Sequence, residues 1–292
     1  MRVVIFGATG TIGKALVPVL ARDHDVVAVS RRERDGAADG VTWARADASD
    51  ATSVRAALDG ADVAYYLVHS LGASDFEQRD REAAATVARE AAAAGLRQII
   101  YLGGLGDDAP DLSPHLRSRI ETGLALASGT VPVTTLRAAM VIGAGSAAFE
   151  TILALVDRLP AMVCPRWVST PTQPIAIDDV VAYLTAACGR PELLGESFDI
   201  GGPDVMTYRE MIERIGKLRG RRPLIVEVPV LTPRLSSYWL HLVTPVGAAV
   251  ARPLIEGLRN ATIVRDGRIR ELLPLELTSF EAAVRAALAG PR

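Results

Sequence analysis

Short runs of consecutive apolar residues alternate, in the first half of the chain, with longer segments whose apolar positions recur every three or four residues. The runs Arg2–Phe6, Asp25–Val29, Val41–Ala44, Val63–Leu67, Gln98–Leu102 and Val133–Leu136 predict buried strands. The longer period between them predicts helices starting at Thr11 and covering Ala51–Leu58, Asp75–Ala94 and Pro114–Ala127. Ser74-Asp75-Phe76-Glu77 has the spacing of a capping box, and Gly95 reads as the stop of the same helix. Strands without a polar face, separated by amphipathic helices, predict an α/β fold with a doubly wound parallel sheet covered on both sides.

After Gly145 the pattern changes, because Pro160, Pro165, Pro171 and Pro174 interrupt the chain around Trp167. Order returns at Ile175, where a strand end runs into a helix. Asp178 and Asp179 are expected there as helix-start capping residues rather than as a catalytic carboxylate pair. Phe198 to Pro203 reads as a strand entering a tight turn, Thr207–Leu218 as a helix, and Thr278-Ser-Phe-Glu281 as the cap of a last helix. The apolar stretch Tyr238–Leu258 carries His241, Arg252 and Glu256 and is broken by Pro245, Gly247 and Pro253. It therefore predicts short buried or interfacial helices and no transmembrane span, with peripheral membrane contact left open.

Chemistry enters at the first strand-to-helix junction, Gly7-Ala8-Thr9-Gly10-Thr11-Ile12-Gly13. Glycine at the first position turns the chain sharply, at the second lets backbone approach a pyrophosphate, and at the third lets helix and strand pack closely. The helix start offers unpaired N–H groups and partial positive charge to phosphates. This strand–loop–helix context predicts a dinucleotide site; the alternative is a turn with only a packing role. The second strand ends in Ser30-Arg31-Arg32, where an NAD site usually places an acid for the ribose 2′-hydroxyl. A guanidinium there suits a 2′-phosphate, so NADP(H) is expected over NAD(H), with Arg31 the favoured ligand. A solvated basic loop, continuing through Glu33, Arg34 and Asp35, is the competing reading. The domain expectation is a Rossmann core at 1–145, completed by about 173–202, with 146–172 and 203–292 forming a C-terminal substrate-cleft or lid region.

A net charge of −2 over 292 residues gives no general case for nucleic acid, and Lys217, Arg219, Arg221 and Arg222 read as a solvated helix end. Two separated cysteines and a first strand opening at residue 2 lead to the expectation of a cytoplasmic protein with no signal peptide. Four scattered histidines show no metal-ligand spacing, so no metal is expected.

Taken with Asp47, Tyr66-Leu-Val-His-Ser-Leu-Gly72, Leu136-Arg-Ala-Ala-Met-Val-Ile-Gly143, Gln173 to Asp179 and Phe198 to Pro203, the glycine loop makes nearly the whole chain resemble the short-chain dehydrogenase/reductase superfamily. The resemblance is to its atypical branch, which includes relatives of the nitrogen-metabolite-repression regulator and of the accessory Rossmann subunit of respiratory complex I. It implies that Asp47 and Ala48 contact adenine, that Leu67, Val68 and His69 line the ribose, and that Ala138, Ala139, Met140 and Val141 pass beside the nicotinamide. Catalytic members carry Ser or Thr past the fifth strand and a Tyr-x-x-x-Lys on the next helix. Here Gly103-Gly104 end the strand, His115 takes the tyrosine slot and Arg119 the lysine slot.

Three readings of that pair stay open. His115 is a substitute general acid with an ordinary pKa while Arg119 holds the cofactor ribose; or Arg119 binds cofactor and His115 merely starts the helix; or both are solvated. Ser146, Phe149, Trp167 and Gln173 are expected to line the substrate cleft, and Leu231, Leu235, Tyr238, Trp239 and Leu242 to form an apolar lid, core or dimer face. The favoured function is an NAD(P)H-dependent oxidoreductase acting on a small apolar substrate. A non-catalytic NAD(P)-binding sensor or scaffold is the alternative, and an epimerase or isomerase the third reading. A homo-oligomer is compatible with all three.

Overall fold

In β1 (Arg2–Phe6), Val3 and Ile5 face one side and Val4 and Phe6 the other, and all four are buried. Such a strand is stable only with helices on both sides. The computed structural model, which describes residues 1–34, 40–70, 75–106, 112–228 and 257–290, supplies both layers. The chain runs from β1 through α1 (Thr11–Leu20), β2 (Asp25–Ser30), β3 (Val41–Arg45), α2 (Ala51–Leu58) and β4 (Val63–Tyr66). It continues through α3 (Phe76–Ala93), β5 (Gln98–Gly104), α4 (Pro114–Ala127) and β6 (Val133–Ala138). The second half adds β7 (Val141–Ile142), α5 (Ala147–Arg158), β8 (Ala161–Pro165), β9 (Pro171–Thr172), β10 (Ile175–Ala176) and α6 (Ile177–Ala186). It ends with β11 (Ser197–Ile200), β12 (Met206–Thr207), α7 (Tyr208–Leu218), β13 (Leu224–Val228), α8 (Arg268–Leu272) and α9 (Phe280–Ala289).

Seven strands form the central sheet in the order β3-β2-β1-β4-β5-β6-β11, each neighbouring pair parallel. The order reverses between β1 and β4, and at such a switch point a crevice opens beyond the carboxyl ends of the strands. Leu16 and Leu20 of α1 and Val180, Tyr183 and Leu184 of α6 cover one face. Val54 and Leu58 of α2, Ala84 and Val87 of α3 and Leu126 of α4 cover the other. β5 and β6 run past their predicted ends because Gly103 and Gly104 still pair with Arg137 and Ala138.

A third core fills the C-terminal layer, where Phe149 and Ile152 of α5 meet Met211 and Ile215 of α7 and Phe280 and Val284 of α9. Three expected caps are used differently. α6 starts behind Ala176 with no side-chain cap; Asp178 is exposed, while Asp179, 6% exposed, accepts hydrogen bonds from the N–H and hydroxyl of Thr278, both at 2.8 Å. α9 lacks a side-chain cap from Ser279, because Thr278 is engaged by Asp179, Glu281 by Arg214 at 2.6 Å, and the Phe280 N–H by Asp204 at 2.9 Å. α3 follows Asp75, which pairs with Arg79 at 2.7 Å and makes no cap bond; Ser74 lies outside the described residues. At the last helix, local capping gives way to long-range ties that hold its start to α6, α7 and the Asp204 loop. The capping box that does form, Thr207 with Glu210, starts α7.

Among the described residues no helix is long and apolar enough to cross a membrane. The expectations for Leu231, Leu235, Tyr238, Trp239 and Leu242, and for nearly all of Tyr238–Leu258, lie outside the described residues.

Asp179→Ala leaves the Thr278 N–H and hydroxyl without their partner and is expected to cost about 1–3 kcal/mol in urea unfolding. Exposed Asp178→Ala is expected to cost about 0.5 kcal/mol or less. Equal effects from the two changes would contradict the tether.

Candidate functional site

The glycine loop is shaped by contacts that exclude side chains. Gly7 has φ +89, and a Cβ there would lie 2.7 Å from the Leu67 carbonyl oxygen. At Gly13 a Cβ would lie 2.3 Å from the Gly7 carbonyl oxygen and 2.6 Å from Ala8 Cα, so α1 rests directly on the loop. Gly10 differs: its nearest obstacle is the Gly7 carbonyl oxygen at 3.3 Å, and it borders the open groove. No side chain caps the first turn of α1 and no acid lies in it. An uncapped, acid-free N-terminus beside a bare glycine backbone fits a pyrophosphate.

The groove beyond this loop has a volume of about 690 Å³. Gly7, Thr9 and Gly10 line it from the loop, Ser30 and Arg31 from the end of β2, Asp47 and Ala48 from beyond β3, and Leu67, Val68 and His69 from beyond β4. Ser49 donates to Asp47 from its hydroxyl at 2.7 Å and its N–H at 3.0 Å. Those bonds hold the Asp47 carboxyl below the usual carboxylate range, with the Arg31 charge adding to them. Four expected cofactor residues have other places. Ala8 and Gly13 are buried beneath the loop, Gly103 is buried within β5, and Arg32 is exposed with its N–H on the Ser30 hydroxyl at 3.2 Å.

A second, more apolar cleft of about 300 Å³ lies on the other side of the α1 N-terminus. Thr11 and Ile12 form one wall; Ala138, Ala139 and Met140 form another. Ser146, Leu258, Tyr208 and His115 complete it. Of the expected cleft residues, only Ser146 lines it. Phe149 is buried in the C-terminal core, and Gln173 is buried with its amide donating to the Gly202 carbonyl at 2.7 Å and accepting from the Val264 N–H at 2.9 Å. Trp167 stands edge-on behind Tyr208, ring centres 6.1 Å apart. Flanking the nicotinamide-side segment in sequence therefore does not carry these three side chains into the cleft.

His115 and Arg119 are both engaged, so the solvated reading does not hold. The Arg119 guanidinium donates to the Leu102 carbonyl oxygen and, at 3.5 Å, to that of Val68, while lying over the Tyr101 ring. It thus ties the ends of β4 and β5 together, in place of the free cation expected to hold the ribose. The same helix packs closely on the strand end: a Cβ at Gly104 would lie 3.1 Å from Leu116 and 3.3 Å from Arg119.

His115 Nδ1 lies 3.1 Å from His69 Nε2, and His69 Nδ1 lies 2.5 Å from Asp80 Oδ2. The other Asp80 oxygen accepts the Ser70 N–H at 2.9 Å, and Asp80 is 1% exposed. Burial pushes the His115 imidazole down to about 3, with a smaller push from His69 and the Arg119 cation. Burial also lowers His69, against the opposing bond to Asp80. The ordinary pKa expected of His115 is therefore corrected: at neutral pH it is uncharged. Sequence reasoning missed Asp80, although the signal was present. It sits on the buried stripe of α3 with Phe76, Ala83, Ala84 and Val87, where an acid requires a partner.

Between pH 6.5, the unfolded value, and about 3, unfolded His115 binds a proton that the folded residue refuses, so stability falls on acidification. Urea unfolding of His115→Gln is expected to show a shallower loss between pH 7 and about 4.5 than the parent. A slope equal to the parent's would contradict the depressed pKa.

Residues 7–127 match a family model described as NAD(P)H-binding. NADH dehydrogenase [ubiquinone] 1 alpha subcomplex subunit 9, mitochondrial, of Arabidopsis thaliana is 26% identical over 94% of this chain and 75% of its own length. The (4-alkanoyl-5-oxo-2,5-dihydrofuran-3-yl)methyl phosphate reductase of Streptomyces griseus is 26% identical over 96% of this chain and 94% of its own. The crystal structure of the Citrobacter sp. triphenylmethane reductase complexed with NADP(H) aligns at TM-score 0.78 and 17% identity, covering 98% of this chain and 100% of that one. Residues 7–127 thus match an NAD(P)H-binding Rossmann domain, in a chain that is similar to complex I subunit 9 and shares the fold of the triphenylmethane reductase.

Proposed function

We propose that the protein is an NADP(H)-preferring oxidoreductase acting on a small, largely apolar acceptor, with NAD(H) as the weaker cofactor. The observation that carries this reading is the position of α1: Gly10 at its start borders the polar groove, and Thr11 and Ile12 border the apolar cleft. A dinucleotide held by the α1 N-terminus has its adenosine side in the groove, near Asp47 and Ala48, and its nicotinamide side toward Ala138, Ala139 and Met140. When bound, it supplies a hydride. Arg31 offers a guanidinium to a 2′-phosphate, and Ser30 and Ser49 add hydroxyls on the same groove. The apolar walls position an acceptor and exclude water, and His115 is the one histidine or carboxylate among the described cleft residues. The free thiols of Cys164 and Cys188 support a reducing, cytoplasmic setting.

A dinucleotide sensor without catalysis is the second reading. It is favoured by β5, where Leu116 and Arg119 crowd Gly104 and no hydroxyl stands in place of the usual serine.

The first test is fluorescence titration with NADPH, NADP⁺, NADH and NAD⁺. Arg31→Ala is expected to weaken NADPH by about 10–100-fold, the worth of a charge-assisted phosphate contact, and NADH by about twofold or less. Equal losses would remove Arg31 from the 2′-phosphate. Gly10→Ala is expected to retain the parent Tm while losing about tenfold or more in dinucleotide affinity; Gly13→Ala is expected to lower Tm itself. NADPH consumption with a panel of quinones and enones then separates the two readings. Tight binding with no consumption selects the sensor.

A further inference from the structure

We propose that Asp80, His69 and His115 form a coupled proton relay beside the apolar cleft, with His69 reprotonating His115 and Asp80 fixing the orientation of His69. The use of the relay rests on the oxidoreductase reading above; its path rests on geometry. His69 borders the groove and His115 the cleft, so their 3.1 Å contact joins the two spaces. Their ring centres are 5.0 Å apart and inclined by 35°. Behind them, the Asp80 carboxylate lies 2.5 Å from His69 Nδ1. A carboxylate only accepts, so the hydrogen between them resides on His69 Nδ1, leaving Nε2 as the exchangeable site.

A neutral imidazole that simply gave up its N–H would become an imidazolate, a far stronger base than the alkoxide or phenolate it protonates. His115 can therefore donate only while its other nitrogen receives a proton. The structure places a second imidazole at that nitrogen. In reduction, the acceptor oxygen made negative by hydride addition forms an O–H bond with the hydrogen of His115 Nε2, whose N–H bond breaks. Simultaneously the His69 Nε2–H bond breaks and an Nδ1–H bond forms on His115. His69 passes from imidazolium to neutral imidazole, its Nδ1–H still on Asp80, and the pair is recharged from the cleft after product leaves, a solvent proton binding His115 Nε2 as the Nδ1–H returns to His69 Nε2. The hydride and its two electrons come from the reduced nicotinamide; these side chains carry protons only. The oxidation direction reverses every step.

Among the described residues, the charged and titratable groups around the pair are Asp80 from α3, Arg119 from α4, and the buried phenols of Tyr66 and Tyr101 from β4 and β5. Reduction uses charged His69, so its rate falls as pH rises through the His69 pKa, and oxidation shows the opposite slope.

Long-range nitrogen–proton NMR of protein carrying ¹⁵N-histidine reads the path directly, with or without turnover. At pH 7.5 both His69 and His115 are expected with hydrogen on Nδ1. As His69 gains its Nε2 proton at lower pH, His115 is expected to change to the Nε2–H tautomer without becoming charged. In Asp80→Asn this linked change is expected to disappear. His115 held in one tautomer throughout the His69 titration, or the linked change persisting in Asp80→Asn, would overturn the relay. Should Asp80→Asn not fold, His69→Gln supplies the second test. Its reduction of a quinone, which needs hydride and proton, is expected to fall about 100-fold. Its reduction of a cationic triarylmethane dye, which needs hydride alone, is expected to fall about tenfold less than that. Equal losses on the two acceptors overturn the relay alone, whereas a parent that reduces neither overturns the oxidoreductase reading.

Discussion

The seating of α1 on the end of β1 is the constraint from which the rest of the molecule follows. With Gly13 packed against the Gly7 carbonyl, there is no room for even a methyl group between helix and loop. That contact fixes the direction in which the first-turn N–H groups point. It also sets where Leu16 and Leu20 meet the sheet, and therefore where α6 packs beside α1. Because β1 is central and the strand order reverses beside it, the crevice at the strand ends lies directly before that helix start. A polar groove then opens on one side of it, walled by the ends of β2, β3 and β4, and an apolar cleft on the other, walled by the end of β6, α4 and the C-terminal layer.

Much of this was legible from residue order, because local signals and burial agree in the first half. Val3 to Phe6 are apolar at every position, which only a strand covered on both faces explains, and the glycine spacing marks the close approaches the structure contains. The second half was less legible because its decisive bonds join distant residues. Asp178 and Asp179 look alike in sequence, yet one is exposed and the other holds Thr278 almost a hundred positions away. Phe149, Trp167 and Gln173 stand in the right part of the chain for a cleft, but their side chains pack into neighbouring elements. The histidine pair was half visible: each residue stood out as a candidate, and neither their contact nor the acid behind them could be read from spacing. His69, Asp80 and His115 come from three different elements, and only the stacking of α3 and α4 on one face of the sheet brings them together.

The site differs from a tyrosine–lysine pair in how it distributes charge. Arg119 donates to two backbone carbonyls and lies over a ring face, so it holds the ends of β4 and β5 together. Burial, with a smaller push from this permanent cation, lowers the proton affinity of both imidazoles. Asp80 offsets part of that lowering from the far side. Arg119 and Asp80 thus act on the His69 imidazole in opposite directions.

One hydrogen bond ties the start of α1, which borders both spaces, to the far wall of the cleft: the Thr11 hydroxyl donates to the Gly145 carbonyl oxygen at 2.8 Å, just before the cleft-lining Ser146. Such a bond contributes about 1 kcal/mol net. If occupation of one space makes or breaks it, affinity in the other changes by about fivefold, and by the same factor in the reverse direction. The coupling free energy between the two sites carried by this contact is therefore bounded by a single hydroxyl.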